Sequence, residues 1–345
     1  MIMSGIEDIR KVQLTGKSTY IISLPRKWVN KVKLRKGENI TIIEQNDKSL
    51  LLLPKGVKTK EENIEKTIYI SSNDKTTSII RKLISLYLVG YNTIQLKTKE
   101  ERIPLEKRHK VKEFIRRMLV GTEIIADSKN EMDLKVLLSY PELPVADALR
   151  RIFIIAVSMH KDAMAALRDL NYELAEEVIK TDDEVDRFSF YIIRQLKAAV
   201  DNERIIKEIG LHNARDCLGY RLITKSTERV ADHASKMASN ALTITKHLDD
   251  ETLRVLEEMS LLSIKTFQDA ISSLFSKNYS LADEVVERKE QVENKEIKCK
   301  KQILNKKFDA ETTSSLRLFV ESIKRTAENG IDIAEVVLNL TVFHK

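Results

Sequence analysis

The chain has 345 residues, 42% of them hydrophobic and 32% charged, with only 9 Gly and 5 Pro. That length leaves room for two to three domains, and the scarcity of helix breakers points to a helix-rich protein with real cores. Residues 152–157 form the longest apolar run, far short of the ~20 residues a membrane span needs. Glu7 and Asp8 stand where a secretion leader would be apolar. Cys217 and Cys299 are far apart and outside any CxxC pattern. They read as ordinary thiols of a cytosolic protein, not as zinc ligands or a disulfide.

The net charge is +7, and the surplus is local. Positions 10–36 carry nine basic residues (Arg10, Lys11, Lys17, Arg26, Lys27, Lys31, Lys33, Arg35 and Lys36) and no acidic one. The rest of the chain holds 50 basic against 52 acidic residues. Any cationic partner surface therefore belongs to the N-terminal part.

Residues 9–54 read as a compact β-rich unit. Val12 and Leu14 alternate, TGKS at 15–18 makes a turn, and Tyr20, Ile22 and Leu24 alternate again. Pro25 opens a short helix through Leu34 with Trp28, Val29 and Val32 inward, a turn at 45–48 separates strands at 39–44 and 50–53, and the whole is expected within residues 1–54. A unit this small buries too little apolar surface alone, so dimerisation is expected. The order RKVQLTGKSTYIISLPRKWVNKVKLRKGENITII resembles the AbrB/MazE (SpoVT-AbrB) swapped-hairpin DNA-binding domain, in the variant found fused to archaeal PhoU-like proteins. The resemblance implies a homodimer with interleaved hairpins and DNA against Arg10, Lys11, Lys17 and Arg26, with Lys27 and Lys31 contributing less. Clustered cations are what phosphate contacts require. The same charges also suit a solvated basic face on a unit that only dimerises or binds protein.

A polar linker at 55–66 leads to alternating elements: strand 67–70, helix 76–89 ended by Gly90, strand 93–97, helix 105–120 ended by Gly121, and closing strands at 123–127 and 133–138. This suggests a small, open-faced α/β unit over 62–140, of ferredoxin-like type. It has no glycine-rich phosphate loop, and a dimerisation or spacer role suits it better than that of a small-molecule sensor.

Pro141 and Pro144 mark the entry to a helical region, 145–345. Here NYELAEEVIKTDDEVD (171–186) recurs as NYSLADEVVERKEQVE (278–293), 107 residues downstream. The segment from Glu228 to His233 likewise resembles that from Lys324 to Asn329. Two copies of about a hundred residues are too long for solenoid repeats and suit small helical bundles. The first copy (145–248) predicts helices near 145–170, 172–200 and 215–248, and the second (251–345) near 251–277, 279–307 and 311–342.

Within the first copy, Asp182 falls on the same helical stripe as Val178 and Val185, with Asp186 one turn on. Carboxylates at that spacing repel, more so where a core face desolvates them. The repeat pattern, with DDEVD in the second helix and ERVADH in the third, resembles the PhoU family of phosphate-uptake regulators. That family implies two three-helix bundles whose E/D-x-x-x-D motifs can hold metal ions. The matching residues are Asp182 and Asp186 with Glu228 and Asp232, and Asp183 adjacent. Carboxylates at i,i+4 on two facing helices form an all-oxygen cage for a divalent or trivalent cation (Fe, Zn, Mn, Mg or Ca). His233 projects about 100° from Asp232 and is a poor ligand. In the second copy Lys289 and Lys324 replace Asp182 and Glu228. A weaker site, from Glu290, Glu293 and Glu328, or none is expected there, with Glu328 and Asp332 in reserve. The acidic stretch also fits a solvated face, with Asp183 paired to Arg187 and Arg229 neutralising Asp182 or Asp186.

Catalysis finds no support: the Glu-x-x-His signature of di-iron bundles does not occur among the helices of residues 145–345, the six histidines are scattered, and GKS at 16–18 lacks the leading glycine of a Walker loop. The expected function is a cytoplasmic DNA-binding regulator of phosphate uptake, most plausibly a repressor and not an enzyme. The alternative is a scaffold that docks on a phosphate transporter ATPase or a signalling kinase, without membrane insertion.

Overall fold

The computed structural model describes residues 8–44, 48–54, 64–137, 143–200 and 202–342. The turn at 45–47, most of the expected linker and Pro141 lie outside them. The chain divides into two compact units, Met1–Asn63 and Ile64–Lys345.

In the first unit, β1 (Gln13–Thr15) pairs antiparallel with β2 (Thr19–Ile21) across a turn where Gly16 takes φ 68°. A short helix, α1 (Arg26–Lys31), leads to a second antiparallel pair, β3 (Ile40–Glu44) and β4 (Leu50–Pro54). Each pair is a separate two-stranded sheet. Among the described residues no hydrophobic side chain before Ile70 is buried, whereas Val12, Leu14, Tyr20, Ile22, Ile42 and Leu50 are exposed. A lone two-stranded hairpin is marginal in water, and these have no core of their own.

The second unit begins with β5 (Glu65–Tyr69), α2 (Thr76–Val89), β6 (Thr93–Lys97), α3 (Leu105–Met118), β7 (Thr122–Asp127) and β8 (Glu131–Val136). The sheet order is β5-β6-β8-β7, with β5 and β6 parallel and the other neighbours antiparallel. A ferredoxin-like unit runs βαββαβ, whereas this chain runs βαβαββ, so the α/β expectation holds and the ferredoxin order does not. The two expected closing strands pair with each other in a tight hairpin, so no helix falls between them. Ile79, Leu83, Tyr87, Ile94, Leu96, Ile115, Met132 and Leu134 fill the core.

The helices follow as α4 (Val145–Asp169), α5 (Tyr172–Val200), the short α6 (Glu203–Glu208), α7 (Asp216–Ala241), α8 (Asp250–Ser276), α9 (Tyr279–Val286), α10 (Lys289–Asn305) and α11 (Ala310–Thr341). The repeated Asn-Tyr is a turn device. Leu170 and Lys277 take left-handed φ of 49° and 50°, ending α4 and α8. Asn171 and Asn278 then accept hydrogen bonds from the backbone N–H of Leu174 and Leu281, at 3.0 and 3.1 Å, capping the next helices. The copies diverge twice from expectation. α7 ends at Ala241, seven residues early, and the helix expected at 279–307 is broken between α9 and α10, where Arg288 pairs with Asp269 of α8 at 2.7 Å. α7 and α11 pack on each other and on both bundles' outer helices, so one continuous core serves all the long helices. At Gly330 of α11 an added Cβ would lie 2.8 Å from the Phe267 backbone of α8, so only glycine permits that approach.

Arg194 of α5 fastens the α/β part to the helices. Its buried guanidinium donates to the carbonyl oxygens of Tyr87, Tyr91 and Gly90 and to Asn92 Oδ1, at 2.5, 3.0, 3.2 and 2.7 Å. Those carbonyls lie at and just beyond the C-terminus of α2, where a cation suits the helix dipole, and that of Tyr87 also accepts from the Gly90 N–H at 3.1 Å.

Candidate functional site

Asp182, Asp183 and Asp186 of α5 and Glu228 and Asp232 of α7 are all half-buried. Val178 and Val185, on the same stripe as Asp182, are buried, so the helix turns its aspartates toward the bundle. Burial, followed by the charge of Asp232, pushes Asp182 up to about 6. Burial, followed by Glu228 and Asp182, pushes Asp186 up to about 7. Oδ1 of Asp182 is buried with no hydrogen-bond partner. The geometry thus brings four of the five candidate ligands, Asp182, Asp186, Glu228 and Asp232, into one mutually repelling cluster.

Little positive charge answers it. Lys225 pairs with Glu228 on its own helix and acts weakly on Asp186, and Lys236 acts weakly on Asp182. Asp183 does not pair with Arg187 as expected; its partner is Arg117 of α3, with Nε 3.3 Å away. Arg187 Nε is buried without a hydrogen bond, and Arg229 is exposed and, among the described residues, makes no ion pair with Asp182 or Asp186. As placed, no three ligating side chains share one coordination sphere among the described residues. The donor set and the unrelieved repulsion fit a hard cation, and the flexible carboxylates must swing inward to hold one.

His233 faces away from the cluster. Its ring is pushed down to about 4 by burial and then by Lys236 and Arg325, and its Nδ1 has no partner.

The second copy solves the same position differently. Lys324, in the place of Glu228, lies 3.1 Å from Glu296 and 3.5 Å from Glu328. Lys300 also pairs with Glu296, which is nearly fully buried. The chain's own ammonium groups occupy the centre. Glu290 and Glu293 are exposed, Asp332 is exposed, and Glu328 is shared with Arg325. Glu296 was missed in the sequence reading. The signal was present, since Ser189→Glu296 and Glu228→Lys324 between the copies is a complementary exchange.

In the N-terminal unit Arg10, Lys11, Lys17, Arg26, Lys27 and Lys31 are all exposed. They occupy three places: the segment before β1, the β1–β2 turn and α1. Arg10 also pairs with Asp8 at 2.7 Å.

The fold defines a tandem three-helix-bundle protein with an added α/β unit and a hairpin unit in front. The PhoU domain model matches residues 149–241 and again 256–337, about half of the chain, and the chain belongs to the PhoU family. The model "Antidote-toxin recognition MazE, bacterial antitoxin" matches residues 13–60, so the front unit is a MazE/AbrB-type domain. A curated relative, the phosphate-specific transport system accessory protein PhoU homolog of Aquifex aeolicus (strain VF5), is 29% identical over 136 residues. The match spans 38% of this chain and 58% of that relative. Among solved structures, the phosphate transport system regulatory protein PhoU from Streptococcus pneumoniae is 18% identical with a TM-score of 0.50, covering 57% of this chain and 93% of that one. PhoU from Pseudomonas aeruginosa is 19% identical with a TM-score of 0.50, covering 57% and 94%. Among the described residues no helix is long and apolar enough to cross a membrane.

Proposed function

We propose that this chain is a DNA-binding regulator of phosphate uptake, acting as a repressor. Its front unit dimerises on DNA and its first bundle binds a hard cation. The observation that carries the DNA part is the front unit itself: two hairpins with exposed apolar faces, no buried hydrophobic side chain among the described residues, and six exposed candidate cations. A second copy would cover the apolar faces and double the charge presented to a phosphate backbone. Phosphate control follows from the family and from the Aquifex relative's description. A cation at Asp182, Asp186, Glu228 and Asp232 would supply the positive charge that cluster lacks. It regulates only if it binds the DNA-competent and DNA-incompetent dimers unequally.

The test is a gel shift with DNA from upstream of the organism's phosphate-transport genes, at low and moderate salt. Binding that weakens with salt and falls on Arg10→Ala with Lys11→Ala is expected. No shift at low salt, or a shift indifferent to both changes, would refute DNA binding.

A second reading, docking on a transporter ATPase or kinase, is supported by Ile154 and Leu261. These occupy equivalent positions of the two copies, and both are about two-thirds exposed, at 66% and 69%. Crosslinking from both positions to one partner, without a gel shift, would favour it.

A further inference from the structure

Helix α3 carries six Lys or Arg against two Glu. His109, Lys112 and Arg116 fall at i, i+3 and i+7, and with Glu113 and Arg117 they line an open recess of about 480 Å³. Compensation of this charge is incomplete. One carboxylate, Asp127, takes both Arg108 and Lys112. Glu113 lies 3.9 Å from Arg117, whose Nε is already 3.3 Å from Asp183 of α5. Arg116 is exposed and makes no ion pair or hydrogen bond among the described residues. Burial, then the charges of Arg108 and Arg116, hold the Lys112 ammonium below its ordinary range.

We propose that this recess binds a compact, multiply charged oxyanion of the phosphate or diphosphate class. His109, Lys112 and Arg116 span about 10 Å along the helix and line one hollow of small-ligand size. A nucleic-acid track would instead spread its cations along successive phosphates. Arg116 offers a planar fork for two oxygens of one group, and Lys112 a point charge beside it. Arg117 stands between this recess and Asp183, next to the acidic cluster. Drawing Arg117 toward an anion would uncover Asp183 and sharpen the cluster's negative potential, so the two sites would be coupled reciprocally. That coupling rests on the cation reading of the first bundle; the binding itself does not.

The test is isothermal titration of the chelator-treated, full-length protein with sodium pyrophosphate and with inorganic phosphate at constant ionic strength. The wild type is compared with Arg116→Gln and His109→Gln, both exposed positions, and with Lys265→Gln on α8 as a charge control. Saturable binding of one pyrophosphate per chain is expected, weakened about tenfold by Arg116→Gln, the scale of one charge-assisted hydrogen bond, and unchanged in Lys265→Gln. No saturable binding would overturn the proposal, as would equal affinity in Arg116→Gln or an equal loss in Lys265→Gln. Binding of duplex DNA but not pyrophosphate, lost in Arg116→Gln, would assign the face to nucleic acid instead. Because no divalent metal is present, failure here leaves the first-bundle cation site to be judged on its own.

Discussion

Asp186→Asn isolates the electrostatic cost of the acidic cluster. The Asp186 carboxyl sits at about 7 in the folded protein against 3.8 for an unperturbed aspartate, chiefly through burial. A raised carboxylate means that the folded state holds its proton longer than the unfolded state does. The stability contribution is therefore intact below pH 4 and is lost progressively as pH rises through 7. Three units correspond to about 4 kcal/mol, and solvent screening of this half-exposed group reduces that to about 2 kcal/mol. Asparagine keeps the shape and removes the charge. At pH 8, without divalent ions, the variant is expected to melt about 4–8 °C above wild type, given the size of the helical unit. At pH 4 the two should melt together. Measuring the difference between variant and wild type cancels the titrating groups outside the acidic cluster. Millimolar Mn²⁺ or Mg²⁺ should then raise the wild-type Tm at pH 8, by about 2.7 kcal/mol of stabilisation at a hundred times Kd, and leave the variant nearly unmoved. A variant that is less stable than wild type at pH 8, or one whose difference is the same at both pH values, would refute the reasoning.

Gly330→Ala should destabilise by about 1–2 kcal/mol in urea unfolding, since crowding against the α8 backbone outweighs alanine's helix propensity. Gly219→Ala, which meets only the Leu340 side chain, should be close to neutral. Arg194→Met removes the guanidinium donor to the Tyr87, Gly90 and Tyr91 carbonyls and to Asn92, so hydrogen exchange across 64–137 should accelerate while the bundles stay protected, at a cost of about 3 kcal/mol. His160 is buried between Thr326 and Ser260, at 3.1 and 2.8 Å, and is pushed down to about 4 by burial. Its lowered value means that the unfolded state takes up the proton first. The contribution of His160 to stability should therefore fall by about 3 kcal/mol between pH 6.5 and 4, and the difference between wild type and His160→Phe, the residue of the second copy, in a chemical-denaturation series across that range reads it.

Much of the helical part was legible because the duplication tests itself. Asn-Tyr at 171 and 278 marked both turns, and the structure shows why: a left-handed residue followed by an asparagine cap. The break between α9 and α10 was not legible, because Val285, Val286 and Val292 keep the apolar stripe in phase while Arg288 is drawn to Asp269 from another helix. The order of the α/β strands was similarly hidden, since strand spacing does not say which edge a strand joins. In the acidic cluster the four facing carboxylates could be read from i,i+4 spacing on two helices. Their cation balance could not: Asp183 turned to Arg117, 66 positions upstream in a different fold element, and only tertiary packing creates that pair. Lys324 at the heart of the second copy was readable, whereas its buried partner Glu296 required following the exchange one turn further along the helix.

The bundles' inequality is the central claim: in the first, four carboxylates face one another with Lys225 paired only to Glu228, whereas in the second Lys324 stands among Glu296 and Glu328. Equilibrium dialysis of the full chain against Mn²⁺ at pH 8, with bound metal counted per chain, tests this most directly. One tightly held ion is expected, lost on changing Asp182 and Asp186 to asparagine and kept on changing Glu293 and Glu328 to glutamine. Two equivalent ions per chain, or none in the wild type, would contradict it.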